Sequence, residues 1–184
     1  EMCMENELIN CIGLGEGENI IIDLAEAIRT EKPYSEVPGI WYKKDGNVIK
    51  NKRGPVVSIN QGQEPDFSLF DEGRFNRPMG GRIFRTVPIE TYRGCPFTCT
   101  YCNSPMQTTL AKQAGIGNFL RTKNFDILRT EIVNTIKKYN PEFMYFIDDS
   151  FTARKKSEVF DFCDMYEEFK LPFWFNTRPE TCTP

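Results

Sequence analysis

The sequence contains no histidine among its 184 residues. It also lacks any apolar run approaching roughly 18 residues, so it predicts no membrane-spanning helix. No basic-then-apolar signal pattern stands at its start, and these features together favour a cytoplasmic protein. A net charge of −3 gives no electrostatic footprint for nucleic acid, although a local basic face is not excluded.

Internal repeats and low-complexity segments are also missing. With 40% apolar residues, a chain of this length can bury a core of one domain or slightly more. Seven cysteines are present, and three of them stand close together. An odd total with one tight group favours a reducing compartment over a disulfide framework.

The cysteine group is the most informative feature of the chain. Cys95, Cys99 and Cys102 have the spacing C-x-x-x-C-x-x-C, which can turn three sulfurs toward one centre. Thiolates are the usual ligands of iron–sulfur clusters, and a set of three protein ligands leaves one position open for an outside molecule. A structural zinc knot is the alternative, and without histidine its fourth ligand must be a distant cysteine or a carboxylate.

The residues around these cysteines resemble those of the radical S-adenosylmethionine (SAM) enzymes. The similarity covers Arg93-Gly94 before the motif, Pro96-Phe97 within it, Tyr101 before the third cysteine and Asn103-Ser104-Pro105 after it. The resemblance implies a 4Fe-4S cluster on the three thiolates, with SAM on the free iron. It also implies reductive cleavage of SAM to a 5'-deoxyadenosyl radical, with the electron from a reductant such as flavodoxin or ferredoxin.

A second glycine-containing stretch lies near the start of the chain. Gly15, Glu16, Gly17 and Glu18 stand between a short β-prone run and an apolar helical stripe of Ile21, Leu24, Ala25 and Ile28. From the residues alone, a plain strand-to-helix turn and a ligand-binding turn both remain open. The stretch is similar to the Gly-Glu-Gly-Glu that closes the cobalamin-binding domain in one subfamily of radical SAM enzymes. That resemblance implies cobalamin binding here.

The remaining pattern predicts an α/β fold. Residues 33–81 are rich in proline and glycine and contain a hairpin signal at Asp45-Gly46. From residue 82 onward, strands and helices alternate, which predicts a parallel sheet with functional residues at the carboxyl ends of its strands. The predicted strands are Ile83–Tyr92, Phe143–Ile147 and Pro172–Thr177. The predicted helical stripes are Phe125, Leu128, Ile132, Ile136 and Tyr139, then Val159, Phe160, Cys163, Tyr166 and Phe169.

The resemblance assigns these elements to three regions. Residues 1–32 would be the end of a Rossmann-like cobalamin-binding domain, residues 33–81 a hairpin-containing linker, and residues 82–184 the first half of a radical SAM barrel. About three of six β/α units of that barrel would be present. We therefore expect the chain to be a fragment of a longer protein.

Four further residues are candidates for binding SAM. Asp148 and Asp149 end the second predicted strand, where the resemblance implies an acceptor for the SAM amino group, and helix capping is the alternative for either. The resemblance implies that Tyr101 lies against the adenine, and loop packing is its alternative. Arg178, after the third strand, would pair with a carboxylate of SAM or of a substrate, or else form a surface salt bridge.

The sequence therefore supports one main hypothesis, a cobalamin-dependent radical SAM enzyme. Such an enzyme would transfer a methyl group to an unactivated carbon, or cyclise or rearrange a ring, on a small-molecule substrate that the sequence does not identify. A radical SAM enzyme without cobalamin is the first alternative. A non-catalytic zinc-binding module is the second.

Overall fold

The computed structural model describes residues 2–61 and 64–182. The chain divides into two compact units. One contains the described residues of Glu1–Val57 with Thr109–Asn118, and the other those of Ser58–Thr108 with Phe119–Pro184. Within the described residues, no helix is both long enough and apolar enough to cross a bilayer.

The first unit is built on a small antiparallel sheet. Its elements are α1 (Met2–Glu5), β1 (Cys11–Gly13), α2 (Gly17–Arg29), a 3-10 turn at Tyr34–Glu36, β2 (Ile40–Lys44) and β3 (Asn47–Lys50). The strand order is β1-β2-β3. Asp45 and Gly46 both have positive φ, at 49° and 76°, as a two-residue hairpin turn requires. The predicted hairpin is confirmed.

The strand β1 pairs antiparallel with the hairpin strand β2, with Cys11 opposite Tyr42 and Gly13 opposite Ile40. The resemblance in sequence predicts this strand as the end of a separate Rossmann-like domain and the hairpin as part of a linker. In the structure, the two belong to one sheet. The assignment of residues 1–32 to a cobalamin-binding domain stays a prediction.

The helix α2 packs through a face that differs in part from the predicted one. Ile20 and Leu24 contact the buried Ala27, Val37, Ile40 and Tyr42. Of the predicted stripe, Leu24 is confirmed, whereas Ile21 and Ile28 are 63% and 59% exposed and their assignment is wrong. The cause lies in the sequence itself, because apolar residues at 20–22, 24–25 and 27–28 satisfy helical spacing on two faces.

The second unit contains the larger sheet. Its elements are β4 (Asn76–Met79), β5 (Arg82–Ile89), β6 (Tyr92–Arg93), β7 (Arg121–Thr122), α4 (Phe125–Tyr139), β8 (Phe143–Phe146), α5 (Lys156–Tyr166) and β9 (Phe173–Phe175). Helix α3 (Ser104–Ala114) follows the cysteines, and short 3-10 turns occur at Phe67–Leu69, Glu72–Phe75, Glu167–Phe169 and Pro179–Thr181.

The order of the larger sheet is β4-β5-β8-β9. Strands β5, β8 and β9 are parallel, and β4 joins β5 as an antiparallel edge. The alternation of these parallel strands with α4 and α5 confirms the predicted α/β class with a partial barrel. The carboxyl ends of β5, β8 and β9 lie along one edge of the sheet, where each predicted group of SAM-site residues begins.

Helix α4 follows the sequence prediction closely. Asn124 caps it by accepting a hydrogen bond from the Asp126 nitrogen at 2.8 Å, and it ends at Asn140 in the left-handed conformation. Leu128 and Ile132 are fully buried in the main core. Tyr139, at the last turn, packs with Phe75 in a smaller cluster.

Helix α5 differs from the prediction. Phe162 and Tyr166 are buried and pack against Phe146, whereas Phe160 is 57% exposed. Cys163 is also exposed, so its assignment to the apolar stripe is wrong. The two large rings spaced i, i+4 fill the core, and the smaller cysteine is turned outward.

Candidate functional site

The three cysteines of the motif lie on one loop between β6 and α3. All three are free thiols. Cys95 and Cys99 are half-buried, and Cys102 is exposed. The loop follows the carboxyl end of β5, which is the functional edge in parallel sheets of this kind.

Glycine is required immediately before the first cysteine. Gly94 has φ +91°, and a Cβ built there would lie 2.7 Å from the carbonyl oxygen of Phe119. After it, the loop folds back on itself, because Ser104 donates from Oγ to the Cys95 carbonyl at 3.3 Å. The Cys102 nitrogen donates to the Cys99 carbonyl at 3.1 Å. The three thiols therefore stand on a loop of defined shape.

Each of the three sulfurs has a hydrogen-bond donor beside it. The donors are the backbone N–H of Phe97 for Cys95, Nη1 of Arg178 at 3.1 Å for Cys99, and the backbone N–H of Ser104 at 3.4 Å for Cys102. Hydrogen bonds to cysteine sulfur are a normal feature of iron–sulfur ligation, where they stabilise the negative charge on the sulfurs. The donor set therefore fits a cluster chemically.

The thiols are not gathered around one point. Among the described residues, no three His, Cys, Asp or Glu side chains are grouped so as to hold a metal ion. Burial is the main cause that raises the pKa of Cys95, and the Phe97 N–H opposes the rise. The negative charge of Asp149 contributes to the same increase, so that carboxylate lies within electrostatic reach of the cysteine loop.

The structure separates the two adjacent aspartates. Asp148 is 1% exposed, and its Oδ1 accepts hydrogen bonds from the backbone nitrogens of Thr91 at 2.7 Å and Tyr92 at 2.9 Å. Its Oδ2 accepts from the Thr91 hydroxyl and from Nη2 of Arg154 at 2.7 Å. Asp149 is exposed. Of the pair, Asp148 is thus occupied by the chain itself, and Asp149 faces outward beside the loop.

The buried carboxylate carries opposing influences on its protonation. Burial raises the pKa of Asp148, while the hydrogen bonds from Thr91 and Tyr92 and the charge of Arg154 lower it. Arg154 is itself buried, and its guanidinium carbon lies 4.4 Å from the Phe151 ring centroid and 5.3 Å from that of Tyr92. The sequence pattern does not predict a role for Arg154. Its only signal was an arginine five residues after Asp149, at the start of a run of three basic residues.

Tyr101 and Arg178 both reach Cys99. Tyr101 is 91% exposed, and its hydrogen bond with Cys99 is the main cause that raises the pKa of its phenol. The guanidinium of Arg178 lies 4.3 Å from the Phe97 ring centroid and forms an ion pair with Glu180. Both alternatives for Arg178 therefore remain open, since it has a salt bridge and also contacts the loop.

Residues 15–18 lie in the other compact unit. Gly15 has φ +118°, and a side chain at Gly17 would meet no atom within 4 Å. Glu16 precedes the first residue of α2, and its carboxylate accepts a hydrogen bond from the Val57 nitrogen at 2.6 Å. This part of the chain is an open turn that leads into a helix.

No family model matches the sequence. An uncharacterized methyltransferase of Pyrococcus horikoshii is 26% identical over 152 residues, which are 82% of this chain and 30% of that protein. The anaerobic magnesium-protoporphyrin IX monomethyl ester cyclase of Cereibacter sphaeroides is 22% identical over 92% of this chain and 27% of its own length. The chain thus spans less than a third of the length of these relatives.

Solved structures give the fold. The cobalamin-dependent SAM radical enzyme OxsB, with aqua-cobalamin and SAM bound, matches 90% of this chain and 22% of its own, with a TM-score of 0.63 and 20% identity. The radical SAM methyltransferase TsrM of Kitasatospora setae, with cobalamin and a [4Fe-4S] cluster, matches 87% of this chain and 30% of its own, with a TM-score of 0.52 and 17% identity. In sequence the chain is thus similar to a methyltransferase and to a cyclase, and its fold is similar to that of these cobalamin-dependent radical SAM enzymes.

Proposed function

We propose that the protein to which this chain belongs is a cobalamin-dependent radical SAM enzyme. It would bind a 4Fe-4S cluster through Cys95, Cys99 and Cys102. A bound cluster would supply one electron to SAM, whose carbon–sulfur bond then breaks to give methionine and a 5'-deoxyadenosyl radical. The overall reaction would be methyl transfer, or ring cyclisation or rearrangement, at an unactivated carbon of a small molecule.

One observation carries this proposal. Three free thiols stand on one loop at the functional edge of a parallel sheet, and each sulfur has its own hydrogen-bond donor. Such hydrogen bonds tune the potential of an iron–sulfur cluster, and a structural zinc knot would need a fourth protein ligand besides the three thiols. Cluster binding would include rotation of the thiols toward a common point, which the half-buried to exposed setting of the loop permits.

The chain's own residues would then bind and orient SAM. Asp149 is exposed beside Cys95, so we assign the SAM amino group to Asp149 and not to the buried Asp148. Arg178, which reaches the sulfur of Cys99, would donate to the SAM carboxylate by exchanging its surface partner Glu180. Tyr101 is exposed on the same loop, which supports its role as a contact for the adenine.

The cobalamin part of the proposal depends on residues 15–18. The positive φ of Gly15 and the open space at Gly17 support close approach of a ligand to the backbone there. The resemblance in sequence and the two cobalamin-bound structures with this fold support the same assignment. Cobalamin would act as the carrier of the methyl group in a methyl-transfer reaction.

Anaerobic reconstitution with ferrous iron and sulfide tests the cluster. We expect about four irons per chain with all thiols intact, and loss of most of this iron in the Cys95→Ala, Cys99→Ala and Cys102→Ala variants. Cys163→Ala is the matched control, because that thiol is exposed on α5 in the same unit. A colourless protein that takes up stoichiometric zinc and no iron would favour the zinc module instead.

Cobalamin retention by the intact protein tests the other part. Gly17→Ala and Gly15→Ala should both reduce the retained cobalamin. Gly46→Ala is the control for Gly15→Ala, since Gly46 also has positive φ, at 76°, and open space around it. Equal cobalamin retention by all three variants would favour the alternative hypothesis, a radical SAM enzyme without cobalamin.

A further inference from the structure

We infer that Thr91, Asp148 and Arg154 form a buried clamp that sets the position of the cysteine loop relative to Asp149. These three residues are called the loop clamp. The inference has two parts. The hold on the loop stands on the geometry alone, and the positioning of SAM rests on the function proposed above.

The clamp uses every hydrogen-bonding group of Thr91, which is fully buried. Its nitrogen donates to Oδ1 of Asp148, and its hydroxyl donates to Oδ2 of the same carboxylate. The hydroxyl also accepts from Nη2 of Arg154 at 2.7 Å. Its carbonyl accepts from the Lys123 nitrogen at 2.9 Å. Thr91 stands four residues before Cys95, so the start of the loop has little freedom to move.

The chain that leaves the cysteine-containing segment, at β7, is held next to the chain that enters it, at β6. Strand β6 pairs with β7, with Tyr92 opposite Thr122 and Arg93 opposite Arg121. Lys123 extends this pairing through its bond to Thr91. Its side chain also forms a buried ion pair with Glu131 of α4 at 2.6 Å. The segment between the two short strands is therefore closed at its base.

An apolar residue at position 148 would be sufficient if the position only had to fill space in the core. Burying two charges is costly, and a well-packed apolar pair often gives equal or greater stability. Asp148 and Arg154 are both 0% exposed in their side chains, so their ion pair is a weak source of net stability. The carboxylate instead gives two directed acceptors to consecutive backbone nitrogens of the strand that leads into the loop.

The position of Asp148 in the sequence connects the loop clamp to the proposed SAM site. It is adjacent to Asp149, the residue that we assign to the SAM amino group, and the two neighbours differ in burial, with Asp148 buried and Asp149 exposed. The buried Asp148 thus fixes the loop that bears the three cysteines, and the exposed Asp149 faces the proposed SAM site. A change in the clamp should move these two parts of the proposed SAM site relative to each other.

Two double variants separate positioning from stability. Asp148→Asn with Arg154→Met removes both charges and keeps an acceptor oxygen for Thr91 and Tyr92. Asp148→Ala with Arg154→Met removes both charges and the acceptor. Neither leaves an unpaired buried charge, so the comparison isolates the hydrogen bonds to the loop.

The first readout needs no cluster. Amide hydrogen exchange of Thr91 and Tyr92 in the unreconstituted protein should remain slow in the asparagine variant and become at least about tenfold faster in the alanine variant. The amides of α4 should be unchanged in both and report on global folding. Equal exchange at Thr91 and Tyr92 in the two variants would overturn the clamp.

The second readout tests positioning in the reconstituted protein. Both variants should bind iron as the unsubstituted protein does, while the affinity for SAM falls about tenfold or more only in the alanine variant. Equal SAM affinity in the two would overturn the positioning role. If the unsubstituted protein assembles no cluster, the proposed function and the positioning role both fail, and amide exchange still decides whether the clamp holds the loop.

Two single variants with smaller changes test the clamp if the Asp148→Ala double variant does not fold. Thr91→Val removes the hydroxyl at nearly constant shape, and Thr91→Ser keeps it. The valine variant should show faster exchange at Tyr92 and weaker SAM binding than the serine variant. The same behaviour in both would contradict the clamp.

Discussion

Arg178 donates a hydrogen bond from Nη1 to the sulfur of Cys99 at 3.1 Å, although 79 residues separate the two along the chain. The contact joins the segment after β9 to the cysteine loop after β6. It is a polar link between two carboxyl ends of one parallel sheet. The hydrogen bond brings a permanent positive charge to a sulfur that we propose as a cluster ligand.

We predict that Arg178→Ala lowers the midpoint potential of the reconstituted cluster. Reduction adds negative charge, and a guanidinium hydrogen-bonded to a ligand sulfur stabilises the reduced form. Arg178→Lys should give a smaller decrease. Redox titration followed by electron paramagnetic resonance measures the potential. Arg129→Ala, at an exposed pair with Glu168, is the control, and an equal shift there would contradict the prediction.

Gly94→Ala should destabilise the protein and reduce cluster content. A Cβ at position 94 combines a positive φ with a 2.7 Å approach to the Phe119 carbonyl, so the loop must shift. We expect a loss of about 1–3 kcal/mol in the free energy of unfolding. Gly80→Ala has φ +54° with open space and should lose less. Denaturant titration compares the two, and equal losses would show that the close contact has no effect.

Lys123→Met should destabilise the protein more at pH 7 than at pH 5. Burial raises the pKa of Glu131, and Lys123 opposes the rise. A carboxyl whose pKa is higher in the folded state binds a proton more tightly there, so stability falls as pH rises through that window. Removing the cation raises this pKa further.

The expected loss for Lys123→Met at pH 7 is about 3–5 kcal/mol, as for one partner of a buried pair. At pH 5 the loss should be smaller, because a larger fraction of Glu131 is protonated. Lys170→Met, in an exposed pair with Glu167, should cost roughly 0–1 kcal/mol at both values. A loss for Lys123→Met that does not depend on pH would contradict the raised pKa of Glu131.

Phe162→Ala should cost far more than Phe160→Ala. Phe162 is fully buried and packs edge-on against Phe146 at a centroid distance of 5.1 Å, whereas Phe160 is 57% exposed. Truncating a buried phenylalanine costs about 3–5 kcal/mol, and the exposed one should cost less than about 1 kcal/mol. Thermal unfolding of the two variants measures the difference. Similar costs would mean that α5 packs through the face that the sequence first indicated.

Several elements of both units were predictable from the sequence. The stripe of α4 and its cap at Asn124 were predicted because most apolar residues of the segment recur at helical spacing on one face. The hairpin at Asp45-Gly46 was predicted because those residues tolerate the positive φ of its turn. Strand β8 was predicted from a short, continuous apolar run.

Other features depended on tertiary contacts that period and propensity do not encode. Apolar residues occur on two faces of α2, and only its packing on β2 selects Ile20 and Leu24. The first predicted strand, Ile83–Tyr92, ends at Ile89, because Tyr92 and Arg93 pair with a segment that is far away in sequence. Such a non-local pairing leaves no local pattern.

The candidate site also contains both locally encoded features and features that depend on tertiary contacts. The three cysteines were identifiable because their spacing is local. The distinction between Asp148 and Asp149 was not, because it depends on Thr91, which is 57 residues from Asp148. Arg154 was missed for the same reason, since its partners are known only once β5 and β8 are side by side.

The central claim is that the three thiols hold a cluster whose open position binds SAM. The most direct measurement is the electron paramagnetic resonance spectrum of the anaerobically reconstituted, reduced protein with and without SAM, together with assay of 5'-deoxyadenosine. The account predicts a SAM-dependent change in the spectrum and formation of that product, both absent in Cys99→Ala and present in Cys163→Ala. A cluster-loaded protein whose spectrum is the same with and without SAM, and which yields no 5'-deoxyadenosine, would contradict it.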